Sequence, residues 1–312
     1  MLHDQVILLK KVKKSQKEEM KMKKIKSTLL IMLFISMTSI SNAQDMIQIK
    51  GSDTLINLVQ KLAEVYMQEN PGKYISVSGG GSGTGVAGLI NSKCDIADAS
   101  RLMQDKEIKQ AQALGVEPKR VVIAIDGLSI ISNKNNPVKE LTVDQVGKIF
   151  RGEVKNWNEI GGLNKPITLY GRQSNSGTFD FMVSEILKGD HASTMNRMNG
   201  NSQIVEAIEQ DSSGIGYVGV GYAKEATGIT VIRIATKAGG KYVSPLVFEN
   251  VITGEYPISR PLNQYVNGAP KKNVRDFIDF ELGIKGQQIV EEMGFFPIPQ
   301  EYKDFNKQSL GN

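Results

Sequence analysis

Four times along the chain, a short apolar or β-branched segment runs into glycine and small hydroxyl residues that open a helix-patterned stretch. The four are Gly51-Ser52-Asp53-Thr54, Gly81-Ser82-Gly83-Thr84-Gly85, Ala99-Ser100-Arg101, and Arg172 through Ser176-Gly177-Thr178. Strand, tight turn and helix in that order is the unit from which α/β layers are built, so the recurrence predicts sheets flanked by helices with largely parallel strands. The first unit shows the pattern clearly. Met46 to Lys50 reads as a strand, and Leu55, Leu58, Val59, Leu62 and Val65 then fall at helical spacing until Pro71-Gly72 stops the helix. Tyr74 to Ser78, Asp95 to Ala97 and Val121 to Ile125 are the next strands, with a short helix expected over Val86 to Asn91.

From Asp126 the pattern restarts as a second domain. Thr142-Val143-Asp144-Gln145 is a capping box that opens a helix. Ile167 to Tyr170 and Ile215 to Val218 read as strands, and two helices close the chain, at about Lys272 to Leu282 and Ile284 to Met293. No internal repeat or low-complexity linker interrupts the series.

Charge divides the chain at its start. Residues 1 to 43 carry nine lysines against three acids, so the net +5 of the whole sequence becomes about −1 over the remainder. The basic stretch Lys10 to Lys26 precedes an apolar run from Thr28 that extends to Ile40, and Ser41-Asn42-Ala43 follows as a small-x-small cleavage pattern. That is the layout of a secretory signal peptide, with Met20 or Met22 the more usual start. No cysteine stands at the cleavage point to take a lipid, so a soluble periplasmic protein is expected. Roughly 270 residues then remain, more than one common domain. Only Cys94, His3 and His191 represent their types, which excludes an intrachain disulfide and argues against zinc, copper or iron–sulfur sites. The near-neutral charge, without a dense basic run, argues against nucleic acid as a partner.

The four loops share a chemistry. A helix N-terminus presents unpaired N–H groups and a positive partial charge, Ser and Thr add hydroxyl donors, and glycine lets the backbone approach an oxyanion. Arg172 adds a planar fork of donors. Singly, each feature is an ordinary cap or turn. Together they describe a cage for a tetrahedral anion. A serine-dependent enzyme acting on phosphate esters is the competing class. However, Gly80-Gly81-Ser82-Gly83-Thr84 breaks the nucleophile-elbow pattern at its last position, and no lysine follows the loop as a P-loop requires.

With these segments in their order, the chain resembles the phosphate-binding proteins of bacterial phosphate ABC importers, over about Ile47 to Pro299. Phe150-Arg151-Gly152, Asn156-Trp157, Gly214-Ile215-Gly216-Tyr217, Tyr256-Pro257 and Arg260-Pro261-Leu262 carry the likeness as well. The resemblance implies a two-domain α/β fold of the type II periplasmic binding protein kind. Each domain would be a mixed, mostly parallel sheet flanked by helices, with the ligand cleft between them. It implies domain I from residues 44–128 plus 247–312 and domain II from 129–246. It also implies a monomer without cofactor or metal that captures inorganic phosphate for the transmembrane permease of an ABC importer. Another tetrahedral oxyanion, sulfate or molybdate, is the alternative ligand. Thr54, Leu55, Ser82 and Thr84 would bind from one side, and Arg172, Ser176, Gly177 and Thr178 from the other. Ser52, Asp53, Ser100 and Arg101 complete the candidate set.

One departure stands out. Relatives commonly carry an Asp in the third loop to accept the proton of hydrogen phosphate; here Ser100 and Arg101 stand there, and Asp98 is two residues early and expected to face away. Two readings of Asp53 remain, as that proton acceptor or as a helix N-cap.

Overall fold

The computed structural model describes Met20 and residues 46–311. Apart from Met20, the expected leader over residues 1–43 lies outside the described residues. The chain opens with β1 (Met46–Gly51), α1 (Ile56–Glu69), β2 (Tyr74–Ser78), α2 (Ser82–Ile90), β3 (Ile96–Ala99), α3 (Asp105–Ala113) and β4 (Pro118–Gly127). In α1 the predicted Leu58, Val59 and Leu62 are buried and are joined by Ala63 and Tyr66, whereas the predicted Val65 is only partly buried and Leu55 sits at the N-cap. α2 begins inside the glycine stretch, four residues before the expected Val86. Gly81 turns the chain at φ 89°, and the N–H groups of Thr84 and Gly85 already bond back to its carbonyl.

A single residue, Leu128, separates β4 from β5 (Ser129–Asn133), which belongs to a different sheet. β6 (Glu140–Thr142) and α4 (Val143–Phe150) follow, joined by the expected capping box. The Thr142 hydroxyl accepts from Gln145 N at 3.2 Å, and Gln145 Oε1 accepts from Thr142 N at 2.9 Å. Then come β7 (Thr168–Arg172), α5 (Gly177–Phe181), extended by a π-helical segment over Met182–Leu187, and β8 (Asn196–Met198). Next are α6 (Asn201–Gln210), β9 (Gly214–Val218), α7 (Val220–Glu225), β10 (Ile229–Val231) and β11 (Arg233–Ala235). The last part holds α8 (Phe248–Ile252), β12 (Ser259–Asn267), α9 (Lys272–Leu282), α10 (Ile284–Glu292) and α11 (Gln300–Leu310).

The first sheet has the order β2-β1-β3-β12-β4 and the second β10-β5-β9-β7-β8, with β6 and β11 forming a separate parallel pair. Both main sheets are mixed. β1 and β3 are parallel, as are β7 with β8 and β9, whereas β12 runs antiparallel to both its neighbours and β5 antiparallel to β9 and β10. The sequence pattern did not announce β12, because Arg260, Asn263 and Gln264 are buried polar residues that break its apolar alternation. Each sheet with its helices forms a lobe. The apolar run Val121 to Ala124 in β4 is fully buried, as a strand covered on both faces should be. Where the chain passes between lobes, its outgoing and returning segments are tied together: Leu128 N donates to Ile258 O at 2.9 Å and Tyr256 Oη to Leu128 O at 2.7 Å. Two adjacent crossings of this kind are the makings of a hinge. Among the described residues no helix is long and apolar enough to cross a membrane.

Candidate functional site

β1, β3 and β7 end facing the boundary between the lobes, and the loops that follow them deliver the hydroxyl residues there. In the first loop Ser52 Oγ accepts from Thr54 N at 3.2 Å, which holds the turn and buries Thr54 completely. In the second, Ser82 is the first residue of α2, and its Oγ accepts from Ser100 N at 3.0 Å. In the fourth, Ser176 caps α5 by accepting from Thr178 N at 3.2 Å. Thr178 is the meeting point. Its Oγ1 lies 3.0 Å from Thr54 Oγ1 and 3.4 Å from Ser100 Oγ, and Ser100 Oγ lies 3.3 Å from Ser82 Oγ. Four hydroxyls from both lobes therefore form one buried chain.

The protons in this chain are largely directed. Within it, Ser82 Oγ accepts a backbone N–H and Thr178 Oγ1 accepts from Arg260 Nη2 at 2.9 Å; in the flanking loops Ser52 and Ser176 each accept a backbone N–H as well. An oxygen so engaged keeps its own proton to donate. Arg172 adds to the donors. Its side chain is 2% exposed; Nη2 binds Asp53 Oδ2 at 2.5 Å and Asn199 O at 2.7 Å, and Nε and Nη1 have no hydrogen-bond partner among the described residues. A buried guanidinium with two idle nitrogens, which carry three N–H donors, is costly unless something accepts from them. Each arginine is matched by an acid, Arg172 by Asp53 and Arg260 by Asp126, so the donors act as local dipoles without an excess of positive charge. Burial raises the Asp126 carboxyl and lowers the Arg260 guanidinium, while their contact opposes both shifts.

The candidate set divides on this geometry. Thr54, Ser82, Ser100 and Thr178 come together, and Ser52 and Ser176 hold the loops that carry Thr54 and Thr178. Gly177 sits among them, and a Cβ there would run into Ser82 Oγ, so only glycine allows this approach of α5. Asp53 caps no helix: α1 starts at Ile56 with Leu55 at its N-cap, and the Asp53 carboxylate accepts from Gly80 N at 2.8 Å and from Arg172. Leu55 contributes an apolar side chain buried in the core. Thr84 turns its hydroxyl onto Gly80 O at 2.6 Å. Arg101 points away to Glu107 and Asp180. Asp98 faces away as expected, accepting from Gln264 Nε2 at 3.2 Å inside the first lobe. Arg260 and Asp126 were absent from the candidate set. They lie 134 residues apart, and only the insertion of β12 beside β4 brings them together.

His191 is accounted for by packing. Its ring stacks on Phe179, Nε2 meets Tyr217 Oη at 3.1 Å, and burial, helped by Arg197, lowers its pKa to about 4. Tyr217 Oη in turn accepts from Arg172 N at 3.1 Å, so the ring supports the backbone that carries Arg172. Among the described residues no group of three or more His, Cys, Asp or Glu could hold a metal ion.

Residues 37–283 match the family model of the PBP superfamily domain. The phosphate-binding protein PstS of Pseudomonas aeruginosa is 34% identical over 279 residues, covering 84% of this chain and 85% of that protein. The chain belongs to the phosphate-binding proteins of ABC importers. PstS of Staphylococcus haemolyticus is 33% identical over 264 residues, covering 82% of each chain. Among solved structures, a putative phosphate ABC transporter substrate-binding protein with bound phosphate from Clostridium perfringens superposes with a TM-score of 0.72. It is 27% identical, and the match covers 81% of this chain and all of that one. An ABC-type phosphate transport receptor from Vibrio cholerae gives 0.66 at 26% identity, with 81% of this chain and 100% of that one covered. Family membership agrees with the two-lobed α/β architecture.

Proposed function

We propose that this protein captures inorganic phosphate between its lobes and hands it to the permease of an ABC importer. The supporting observation is the chain of buried hydroxyls, Thr54, Thr178, Ser100 and Ser82, contributed by both lobes with each within 3.4 Å of the next, together with a buried Arg172 held by Asp53, the neighbour of Thr54. Donors fixed in place before the ligand arrives suit an oxyanion, which accepts at every oxygen and needs no reorganisation of the site. The ligand set is Ser52, Thr54, Ser82, Ser100, Arg172, Ser176 and Thr178, with Gly177 supplying backbone. Asp53 takes the proton of hydrogen phosphate: each carboxylate oxygen has one donor and retains a lone pair, and sulfate brings no proton to meet it.

The protein binds and does not react in this reading. His191, the one histidine among the described residues, is engaged by Tyr217, and its low pKa leaves it a weak base for activating a serine. The division into residues 44–128 plus 247–312 and residues 129–246 is supported by the change of sheet at Leu128. Residues 1–43 act as a cleaved leader, and the mature protein works in the periplasm as a monomer. Calorimetric titration of the purified protein with phosphate, sulfate and molybdate tests the reading. Phosphate binding with weaker competition from the other two supports it, and sulfate or molybdate binding without phosphate overturns it.

A further inference from the structure

Arg101 follows Ser100 directly, yet its side chain leaves the hydroxyl cluster. Nη1 and Nη2 donate to the two Glu107 oxygens at 2.7 Å each, a bidentate pair within the first lobe. The remaining edge, Nε, lies 2.7 Å from Asp180 Oδ2 of the second lobe. Glu107 is itself held by the start of α3, where its Oε2 accepts from Gln104 N at 2.8 Å. Arg101 is thus anchored on its own lobe whether or not the other lobe is near, and little side-chain freedom is lost when Asp180 arrives. Asp180 lies two residues beyond Thr178 on α5. The two loops that place Ser100 against Thr178 therefore also place Arg101 against Asp180. The side chains of Arg101, Glu107 and Asp180 are 9%, 15% and 29% exposed, so solvent screens them only in part. Burial pushes the Asp180 carboxyl up and Arg101 pulls it back, as expected of a carboxylate that depends on its cation.

We propose that Arg101 is a positioning residue that sets phosphate affinity from outside the binding site, as the cation that lets Glu107 of one lobe and Asp180 of the other meet when the lobes close. This rests on the phosphate-capture reading. Without Arg101 the two carboxylates face each other across the boundary with only the charge of Lys106 and the Gln104 amide, 3.5 Å from Asp180 Oδ2, to offset them, and the remaining repulsion opposes closure. Affinity falls with the population of closed protein even though no atom touching the anion has changed.

Titrations with inorganic phosphate of the wild type, Arg101→Met, Asp180→Asn and the double variant test the proposal. Arg101→Met should weaken binding about tenfold, on the order expected for an unpaired, partly buried carboxylate. Adding Asp180→Asn should return affinity to within about threefold of the single Asp180→Asn variant, because the repulsion is gone. General damage from losing Arg101 would not be repaired by removing a charge on the other lobe. Wild-type affinity in Arg101→Met, or a double variant as weak as Arg101→Met, overturns the proposal while leaving phosphate capture intact. Failure of the wild type to bind phosphate overturns the functional reading and this proposal with it.

Discussion

Gly177→Ala tests the contact between the lobes with a single methyl group. The added Cβ would fall on Ser82 Oγ and 2.9 Å from both Ser100 Oγ and Ser82 Cβ, all in the opposite lobe. A carbon–oxygen contact needs roughly 3.3 Å or more, so the lobes must stay apart or the hydroxyl chain must break. Forcing one carbon into a filled site costs about 1–3 kcal/mol, which corresponds to a loss of phosphate affinity of roughly 5- to 150-fold. The cost falls on the closed arrangement, because the three nearest atoms beyond its own helix that the Cβ meets all belong to the opposite lobe. Ligand-free stability should therefore change by less than about 0.5 kcal/mol, as for substitutions that disturb no packed site. Gly200→Ala is the control, since no heavy atom lies within 4 Å of the position its Cβ would occupy and its φ is −138°. Calorimetric titration gives the affinities and thermal unfolding the stabilities. Gly177→Ala binding phosphate within about threefold of wild type would refute the close approach of α5 to Ser82, since the expected loss is larger.

Further predictions concern charge and protonation. Asp53→Asn should lower the ratio of phosphate to sulfate affinity at least about tenfold in competition titrations, the scale of one charge-assisted hydrogen bond. An unchanged ratio would remove Asp53 from its assigned role. Inside the first lobe, Asp98 and Glu281 share the Gln264 amide, and burial raises the Asp98 pKa to about 8 and that of Glu281 well above its usual value. An acid that stays protonated when folded and ionises when unfolded makes stability fall as pH rises from about 4 towards about 8. Asp98→Asn should lose less melting temperature than wild type between pH 5 and pH 8.5, and equal losses would contradict the burial of a neutral carboxyl. Burial also raises the half-buried Cys94 thiol to about 12. At pH 8 it should label with a thiol reagent far more slowly than after unfolding in guanidinium; equal rates would show an exposed thiolate.

The hydroxyl loops were legible in the sequence because their signal is local: a strand, a glycine and a Ser or Thr at a helix start occupy neighbouring positions. Thr54, Ser82, Ser100, Ser176 and Thr178 were found in this way. What escaped depends on pairing between distant segments. Arg260 reaches Thr178 only because β12 inserts antiparallel between β3 and β4, and its buried polar residues hid the strand. Arg101 looked like a ligand residue by position, but its direction is set by Glu107 at the start of α3 and by Asp180 across the boundary. Asp53 left two readings open in the sequence, and neither foresaw Arg172, 119 residues away, which uses the carboxylate to bridge the lobes.

The most direct test of phosphate capture is a calorimetric titration of the purified wild-type protein with inorganic phosphate, alongside Thr178→Val. The wild type should bind one phosphate per chain. The valine variant keeps the shape of Thr178 but removes the hydroxyl that Thr54, Ser100 and Arg260 share, and should bind roughly 10- to 100-fold more weakly. No heat of binding in the wild type, or equal affinity in the two proteins, would contradict the account.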